Sequence, residues 1–445
     1  MNKERMIMDP IHGFINISEY PVIEELVDSK YFQRLRRLAQ LGMTSAVYPN
    51  ATHTRFAHCL GVMHVFLILF DAVVKKEKKE IPNQSEKRRL GAVAALLHDL
   101  GHGPFSHASE SILDKKSESF DHEKMTREII STTDIAKILK KHNIEPDFIC
   151  KILQCVVPSD WLFISQLITS QLDADRLDYL SRDSYFTGVN YGKIDIHRIA
   201  NTLQIWHGDG IFNDTVIIKR KGISAVEHYI LGRHLMYERV YFHKLSRCME
   251  FLLVNVFQRA AELPDEETNL SKVIVRNVKT TPELLYKMDD SICINLFHEW
   301  ATNSDDKILQ DLSSRILERR KFASVIIPRK KYTKLGAVNL GQIPAAVEHA
   351  GFDKKYYYIE DNTVKSAYDV YGPEESGVLS KESGDKELSP ITHIMTPNED
   401  GKLEEISSQS TVIQALSDAE SRQTRIFFPA KIRDEINKIV NPPDK

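Results

Sequence analysis

An adjacent histidine and aspartate, His98-Asp99, places the strongest constraint on how this chain can fold. The pair ends an apolar segment, residues 87–98, that reads as a buried helix stopped by the glycines that follow. An imidazole nitrogen and a carboxylate oxygen at a helix end can bind one cation, and this donor set suits Fe, Mn, Zn or Ni. Alone, such a pair is common, and a capping or core role explains it equally well.

Two further residues extend the pair into an ordered set. His58 lies about one helix upstream, in a segment with a repeating apolar stripe, and Asp175 lies well downstream. The order His, His-Asp, Asp resembles the HD-domain superfamily. The resemblance implies that His58, His98, Asp99 and Asp175 are the metal ligands.

Three histidines and a glutamate follow the His-Asp pair. His102 and His107 lie on a loop that contains glycine and proline, Glu110 comes next, and His122 begins another helical segment. A phosphoryl-transfer site needs groups that donate to phosphates, orient water and protonate the leaving oxygen. Histidine does each of these near neutral pH, although His122 is equally explained as an ordinary N-terminal helix residue.

Periodicity predicts a mainly α fold with a smaller α+β region at the C-terminal end. Residues 1–20 alternate like strands, and most of the chain from there to about residue 325 is helical in pattern. Strand-like runs appear at the end of this part and beyond it, at residues 325–327, 356–359 and 425–428. We therefore expect a helical domain over 1–325, which the resemblance implies is an HD-type phosphohydrolase domain, and an α+β region over 326–445 with a polar loop near 372–389.

Composition excludes several classes of protein. The 445 residues are 42% hydrophobic with a net charge of -3, which is typical of a globular chain and not of a basic protein that coats nucleic acid. The five cysteines are scattered, so neither a disulfide framework nor a zinc knuckle is indicated. The apolar run Val62–Val74 contains His64 and Asp71 and is too short to span a bilayer. We expect a cytoplasmic protein without membrane contacts.

Several motifs in one order make the resemblance more specific. They are Asp9-Pro10-Ile11-His12-Gly13, Phe32-Gln33-Arg34-Leu35-Arg36, Gln40-Leu41-Gly42, Arg55-Phe56-Ala57-His58, residues 98–107, and Asp175-Arg176-Leu177-Asp178-Tyr179. Over about residues 5–325 the chain resembles the deoxynucleoside triphosphate triphosphohydrolases related to the animal SAM-and-HD-domain protein. No SAM-like domain precedes the motifs, so we expect a bacterial-type member.

The resemblance implies an activity. That family cleaves a dNTP into deoxynucleoside and inorganic triphosphate by attack of water on the α-phosphorus, and Mg²⁺ accompanies the nucleotide. His107 would act directly at the α-phosphate, His102 and His122 would contact phosphates or relay protons, and Glu110 would orient a histidine. Relatives have an aspartate at the Glu110 position, which leaves its role open.

Helical spacing points to a substrate pocket. Arg176, Tyr179 and Asp183 share one helical face, and Arg233, Tyr237 and Tyr241 are spaced i, i+4 and i+8. A solvated face explains this spacing equally well. The resemblance assigns phosphate binding to Arg55, Arg176 and Arg233, the sugar 3′-hydroxyl to Asp183, the deoxyribose to Tyr179 and Tyr241, and the sugar and base to Gln40 and Leu41.

The resemblance also implies regulation. Relatives assemble into tetramers when an activating nucleotide, GTP or a dNTP, binds between subunits. The matching positions here are Arg5, Asp28, Gln33, Arg36 and Arg319. A solvated helix face accounts for Gln33 and Arg36 as well.

Other functions remain open from the sequence alone. The chain could be another HD phosphohydrolase, such as a nucleotidase, a cyclic-nucleotide phosphodiesterase or a single-strand nuclease. A nucleotide-sensing scaffold without turnover is the non-enzymatic alternative.

Overall fold

The computed structural model describes residues 4–105, 120–208, 213–270, 280–327, 341–365, 368, 393–418 and 421–440. Over these ranges the chain is mainly α with a few small antiparallel sheets, so the predicted fold class is confirmed.

The helices enclose the core in the order of the chain. They are α1 (Pro21–Asp28), α2 (Lys30–Arg34), α3 (Arg55–Val74), α4 (Gln84–Leu97), α5 (His122–Thr132), α6 (Asp134–Lys141), α7 (Pro146–Leu153), α8 (Leu162–Ile168), α9 (Ala174–Thr187), α10 (Ile196–Thr202), α11 (Ile223–Met236), α12 (Lys244–Ala260), α13 (Asp265–Thr268), α14 (Pro282–Tyr286), α15 (Asp290–Asn303), α16 (Lys307–Leu317), α17 (Lys354–Tyr357), α18 (Thr411–Asp418) and α19 (Arg433–Val440). Residues 341–349 form a further helix. Short 3₁₀ turns cover Leu35–Arg37, Gly42–Ala46, Ser159–Trp161, Arg220–Gly222, Ile406–Gln409 and Ala430–Ile432, and a π turn covers Tyr237–Tyr241.

The strands form four small antiparallel sheets. They are β1 (Met6–Asp9), β2 (Gly13–Asn16), β3 (Leu203–Trp206), β4 (Thr215–Ile218), β5 (Ala323–Ile327), β6 (Ile359–Lys365), β7 (Met395–Pro397), β8 (Leu403–Glu405) and β9 (Ser421–Phe428). β1 pairs with β2, β3 with β4, and β7 with β8, while β9 lies between β5 and β6. In the β1–β2 hairpin Met8 faces Phe14, and the turn between the strands carries His12.

Helix α3 is the centre of the fold. Thr54 caps its first turn by accepting from the Ala57 N–H, and apolar residues then cover all of its sides. It packs against α4, α8, α9, α10 and β3. By length and composition its 20 residues could cross a membrane, whereas the shorter run Val62–Val74 could not. Burial on every side is typical of the core helix of a globular domain.

Local capping divides the long helical stretches that periodicity predicts. Thr133 ends α5 and caps α6, and Asp173 caps α9 by accepting from the Arg176 N–H. A strand was expected at 356–359, but Tyr356 and Tyr357 lie in α17 because Asp353 caps that turn; the strand begins only at Ile359. Aromatic residues favour strands on average, and a helix cap overrides that preference here.

The contact between α3 and α4 depends on a glycine. A Cβ atom on Gly91 of α4 would lie 2.1 Å from Cζ of Phe66, whose ring is fully buried on α3. We expect Gly91→Ala to lower the free energy of unfolding by about 1–3 kcal/mol through overpacking, despite the better helix propensity of alanine. Gly341→Ala, at an exposed helical position with open space around the Cβ, is the matched control and should be neutral or slightly stabilising. Urea denaturation followed by circular dichroism measures both, and equal stabilities would contradict the packing argument.

Candidate metal and nucleotide site

The His-Asp pair lies where α4 ends. His98 is the C-terminal cap residue of α4, and its Nδ1 is 2.9 Å from the Ala95 carbonyl oxygen. This contact directs Nε2 toward Asp99, 3.5 Å from its Oδ1. Within the part of the chain that the structure describes, His98 Nε2 is buried without a hydrogen-bond partner. A buried imidazole nitrogen of this kind is suited to bind a cation.

Two other helices complete the cluster. α3 contributes His58, whose Nε2 lies 3.0 Å from Asp175 Oδ1 at the start of α9 and 3.9 Å from Asp99 Oδ2. Asp175 is also 3.6 Å from His98 Nε2. Ligand atoms of His58, His98 and Asp99 all lie within 4.8 Å of one another. The four residues expected to bind metal therefore meet in one place.

A fifth residue, Asp178, holds His58 from the other side. Asp178 Oδ2 is 2.8 Å from His58 Nδ1, which leaves Nε2 directed at the cluster. Asp178 also accepts from both Nε and Nη2 of Arg182 and lies 2.6 Å from His12 Nε2. Gly61 permits this approach, because a Cβ there would be 1.9 Å from the Asp178 carboxylate.

The electrostatics of the cluster favour positive charge. Burial alone would raise the pKa of Asp178, but Arg182, His12 and His58 hold it well below its usual value. Burial alone would lower the pKa of His58, but hydrogen bonds to Asp175 and Asp178 raise it to about 10. Two imidazoles and two carboxylates together form a donor set that fits a divalent cation such as Fe, Mn, Zn or Ni. The residues that would hold it are His58, His98, Asp99 and Asp175.

Arg55 and His102 lie against the cluster. Arg55, on the first turn of α3, donates to Asp99, and His102 Nε2 is 3.2 Å from the other oxygen of Asp99. The ring of His102 stacks on that of His122 with centroids 4.0 Å apart. Burial, followed by the charges of Arg55 and His122, lowers the pKa of His102 well below its usual value. His102 is therefore neutral near pH 7.

The loop geometry brings these two histidines together. The Gly101 N–H donates to Thr126 Oγ1 in α5, and a Cβ on Gly101 would be 2.1 Å from the His122 carbonyl oxygen. The loop can lie against the first turn of α5 only because residue 101 has no side chain. His107 and Glu110 lie outside the described residues.

A polar and aromatic cluster lies further along α9. Tyr241 donates to Asp183 Oδ2 at 2.7 Å, and His53 Nε2 is 2.7 Å from Asp183 Oδ1. The ring of Tyr241 is 4.8 Å from Tyr237 and 6.4 Å from Tyr179. Burial, followed by the charge of Asp183, raises the pKa of Tyr241 well above its usual value, so the phenol stays protonated.

The π turn changes how Tyr237 and Tyr241 are arranged. Spacing predicted that Arg233, Tyr237 and Tyr241 lie on one α-helix, but α11 ends at Met236. The wider π turn still places the two tyrosine rings edge to face. The prediction of one continuous α-helix is therefore wrong, but the three side chains still lie together.

Two arginines line the same region. Arg176 lies 3.5 Å from Asp173, and the Arg233 guanidinium lies 5.6 Å from the Tyr237 ring centroid. Each arginine is largely buried, and the positive charges of Arg176 and Arg233 repel each other. Two neighbouring buried cations favour an anionic ligand.

Gln40 and Leu41 are half-buried, and Gln40 is joined to this region through its backbone N–H, which donates to the His53 carbonyl.

Most of the expected regulatory residues are neighbours on the outer surface. Arg5 donates to both oxygens of Asp28, at 2.7 and 3.1 Å, and Arg36 donates to Gln33 at 2.9 Å. The hydrogen bond from Arg5 lowers the pKa of Asp28, and the charge of Arg36 lowers it further. The pairs Arg5–Asp28 and Gln33–Arg36 are therefore neighbours on one polar surface. Arg319 instead donates to the Ala46 carbonyl at 2.6 Å.

Sequence reasoning missed three residues of the site: Asp178, His12 and His53. Asp178 and His12 stand inside motifs that the sequence displays, Asp175-Arg176-Leu177-Asp178-Tyr179 and Asp9-Pro10-Ile11-His12-Gly13, so the motifs were the available signal. Spacing along the chain does not indicate that His12 and Asp178, 166 positions apart, are in contact.

Comparison with known proteins identifies the class. An HD-domain model matches residues 55–183, and an HD-associated-region model matches residues 194–342. The uncharacterized protein YwfO of Bacillus subtilis is 33% identical over 437 residues, which cover 96% of this chain and 93% of the relative. A solved phosphohydrolase structure from Bacteroides thetaiotaomicron has a TM-score of 0.74 and 28% identity, covering 96% of this chain and 100% of that one.

The chain belongs to the HD phosphohydrolase family, with an HD domain followed by an HD-associated region. It is also similar to named enzymes. The deoxynucleoside triphosphate triphosphohydrolase SAMHD1 homolog of Dictyostelium discoideum is 29% identical, covering 71% of this chain and 66% of the relative. Human SAMHD1 is 25% identical, covering 74% and 58%.

Removal of the Asp178 charge tests how the site is built. In Asp178→Asn the residue at 178 holds His58 Nδ1 less firmly, so we expect affinity for a divalent cation to fall about 10–100-fold. Titration of the metal-stripped protein with Mn²⁺ or Zn²⁺ by calorimetry, on the folded fraction, measures this. Asp147→Asn, an exposed helix position paired only with Lys151 among the ion pairs described, is the control and should leave affinity unchanged. An Asp178→Asn protein that binds metal as tightly as wild type would refute the role of Asp178.

Proposed function

We propose that the metal-loaded protein hydrolyses dNTPs to deoxynucleoside and inorganic triphosphate. One observation carries the proposal: α9 places Asp175 of the metal cluster and Asp183 of the polar and aromatic cluster on the same helix. Eight residues of helix span about 12 Å, which suits a ligand with phosphate at one end and a sugar at the other. Arg176 and Tyr179 lie between them.

The phosphate end is supported by charge. Arg176 and Arg233 provide two largely buried guanidinium groups, and Arg55 lies beside the metal ligands. Guanidinium groups bind phosphate oxygens in a bidentate manner, and partial burial strengthens each contact. A triphosphate chain gives these cations more partners than a monophosphate would.

The reaction fits the histidines next to the cluster. Attack of water on the α-phosphorus breaks the bond to the 5′ oxygen, so the deoxynucleoside takes up a proton and the triphosphate keeps the oxygen of the water. His102 and His122 stack beside Asp99, which supports a role for them in holding phosphate oxygens or moving that proton, and we assign the direct role at the α-phosphate to His107. When bound, a divalent cation supplies a Lewis acid at this cluster.

The sugar end is supported by the contacts of Asp183. His53 and Tyr241 fix the orientation of its carboxylate, which supports the assignment of Asp183 as the acceptor for a sugar 3′-hydroxyl. The rings of Tyr179 and Tyr241 are near each other and pack on the deoxyribose in this proposal. A tyrosine against C2′ leaves no space for a 2′-hydroxyl.

The proposal extends to regulation. The surface formed by Arg5, Asp28, Gln33 and Arg36 combines amide, carboxylate and guanidinium groups that can read a base and bind phosphate. We assign it to an activating nucleotide, GTP or a dNTP, bound between the subunits of a tetramer.

Product analysis tests the activity directly. The protein loaded with Mn²⁺ is incubated with each dNTP, singly and in pairs, and the products are separated by ion-pair chromatography. Deoxynucleoside plus triphosphate is the expected result, and His98→Ala should abolish it. Monophosphate or diphosphate products would favour another HD phosphohydrolase, and binding without products would favour a nucleotide-sensing scaffold.

Discrimination between dNTP and NTP tests the sugar end. In Tyr241→Ala the side chain next to the sugar is removed, so we expect the ratio of kcat/KM for dNTP over NTP to fall about 10-fold or more. Steady-state kinetics with dGTP and GTP as substrates measures the ratio. Tyr185→Ala, on the exposed side of the same α9 helix, is the control and should keep it. An unchanged ratio in Tyr241→Ala would rule out steric exclusion by that tyrosine.

A further inference from the structure

Arg34 is a buried arginine that joins separate parts of the chain. It ends α2 with 1% of its surface exposed. Its Nη1 donates to the His102 carbonyl oxygen at 2.8 Å, and its Nε donates to the Met288 carbonyl oxygen at 2.9 Å. One side chain thus fixes the backbone of the His102 loop to the segment that precedes α15.

Two further hydrogen bonds join the segment that follows Arg34 to residues 289 and 290. Arg37 Nε donates to Asp289 Oδ2 at 2.5 Å, and the Ala39 N–H donates to Asp290 Oδ2 at 2.8 Å. Residues 34, 37 and 39 therefore bind residues 288, 289 and 290 in order. The two segments form one rigid unit on which the loop can be held.

Asp290 holds the loop a second time. Its other oxygen, Oδ1, accepts from the Phe105 N–H at 2.8 Å. Phe105 has φ +55°, in the left-handed region that a phenylalanine rarely adopts without support. Two N–H donors from different segments converge on one carboxylate, and each of its two oxygens accepts from one of them.

We propose that Arg34 and Asp290 are positioning residues for the hydrolysis, because together they fix the backbone of residues 102–105. This holds His102 beside Asp99 and fixes the start of the segment that leads, in sequence, to His107. The inference rests on the proposed dNTP hydrolysis, and neither residue touches the reacting atoms. Together residues 34–39, 102–105 and 288–290 are called the loop junction.

The loop junction also lies directly behind the outer polar surface. Gln33 and Arg36 flank Arg34 in sequence and bond to each other on the outside, while Arg34 points inward to His102. A nucleotide bound by Gln33 and Arg36 would therefore stabilise the same short segment that holds the loop. Through the junction, binding of the proposed activator would be coupled to the position of His102.

Kinetics of three variants and one control test the inference. Arg34→Gln loses one of the two bridging donors, and Asp290→Asn replaces an acceptor oxygen with a donor that faces an N–H. We expect kcat to fall about 100-fold in each, with KM for dGTP and bound Mn²⁺ changed less than about 2-fold, since a displacement of about 1 Å has that effect on rate. Arg34→Lys should recover part of the loss. Arg220→Lys, an exposed arginine that pairs with Glu399 outside the loop junction, is the control and should keep kcat.

Hydrogen exchange provides a readout that does not need turnover. The Phe105 N–H and its neighbours should exchange at least 10-fold faster in Asp290→Asn than in wild type or Arg220→Lys, while α3 stays protected. Faster exchange everywhere would mean general unfolding and would count against a positioning role. If wild type hydrolyses dNTPs and both Arg34→Gln and Asp290→Asn keep kcat, the inference is overturned. If wild type has no such activity, the proposed function fails, and unchanged exchange at residues 102–105 would separately refute the loop junction.

Discussion

The hydrogen bonds around the buried carboxylate of Asp178 are the interactions on which the rest of the site depends. A charge removed from water is unstable without partners, and this one has Arg182, His12 and His58. Arg182 in turn donates to Asp9 at the end of β1, so the N-terminal hairpin is tied to α9 through the same network. The energetic need to satisfy one buried carboxylate therefore fixes how the hairpin, α3 and α9 are placed together. Only with that placement does His58 present Nε2 to the other ligands.

Helix α9 converts this local arrangement into a longer site. Residues one, four and eight positions after Asp175 add a cation, an aromatic ring and a second carboxylate along about two turns. Because the helix is rigid and capped by Asp173, the separation between the metal cluster and Asp183 is fixed before any ligand binds. Preorganised distances of this kind are what positioning of a reacting phosphate requires.

Much of the fold and of the site could be predicted from the sequence, for identifiable reasons. The helical class, the strands within residues 1–20, helix α4 and its end at His98 follow from periodicity, glycine positions and apolar runs, which are local signals. The meeting of His58, His98, Asp99 and Asp175 came from motif order. Motifs mark His12 and Asp178, but the contact between them and the contacts of Arg34 could not be predicted, because each joins residues far apart in the chain. The π turn at Tyr237–Tyr241 was also beyond prediction, since nothing in its residue types distinguishes it from a continuing helix.

Helix α3 has the composition of a membrane span, yet its polar residues make lipid an unfavourable environment. Before α9 and α10 have been synthesised, this segment has none of those partners to cover its apolar surface, and a membrane competes with the protein interior for it. His58 lies near its start, and His64 and Asp71 follow. Ionisable groups inside a bilayer are costly, whereas the folded core gives His58 two carboxylates. Within the described residues, α3 is the one helix long and apolar enough to cross a membrane, and the candidate metal ligand His58 makes the folded core a more favourable environment for it than lipid.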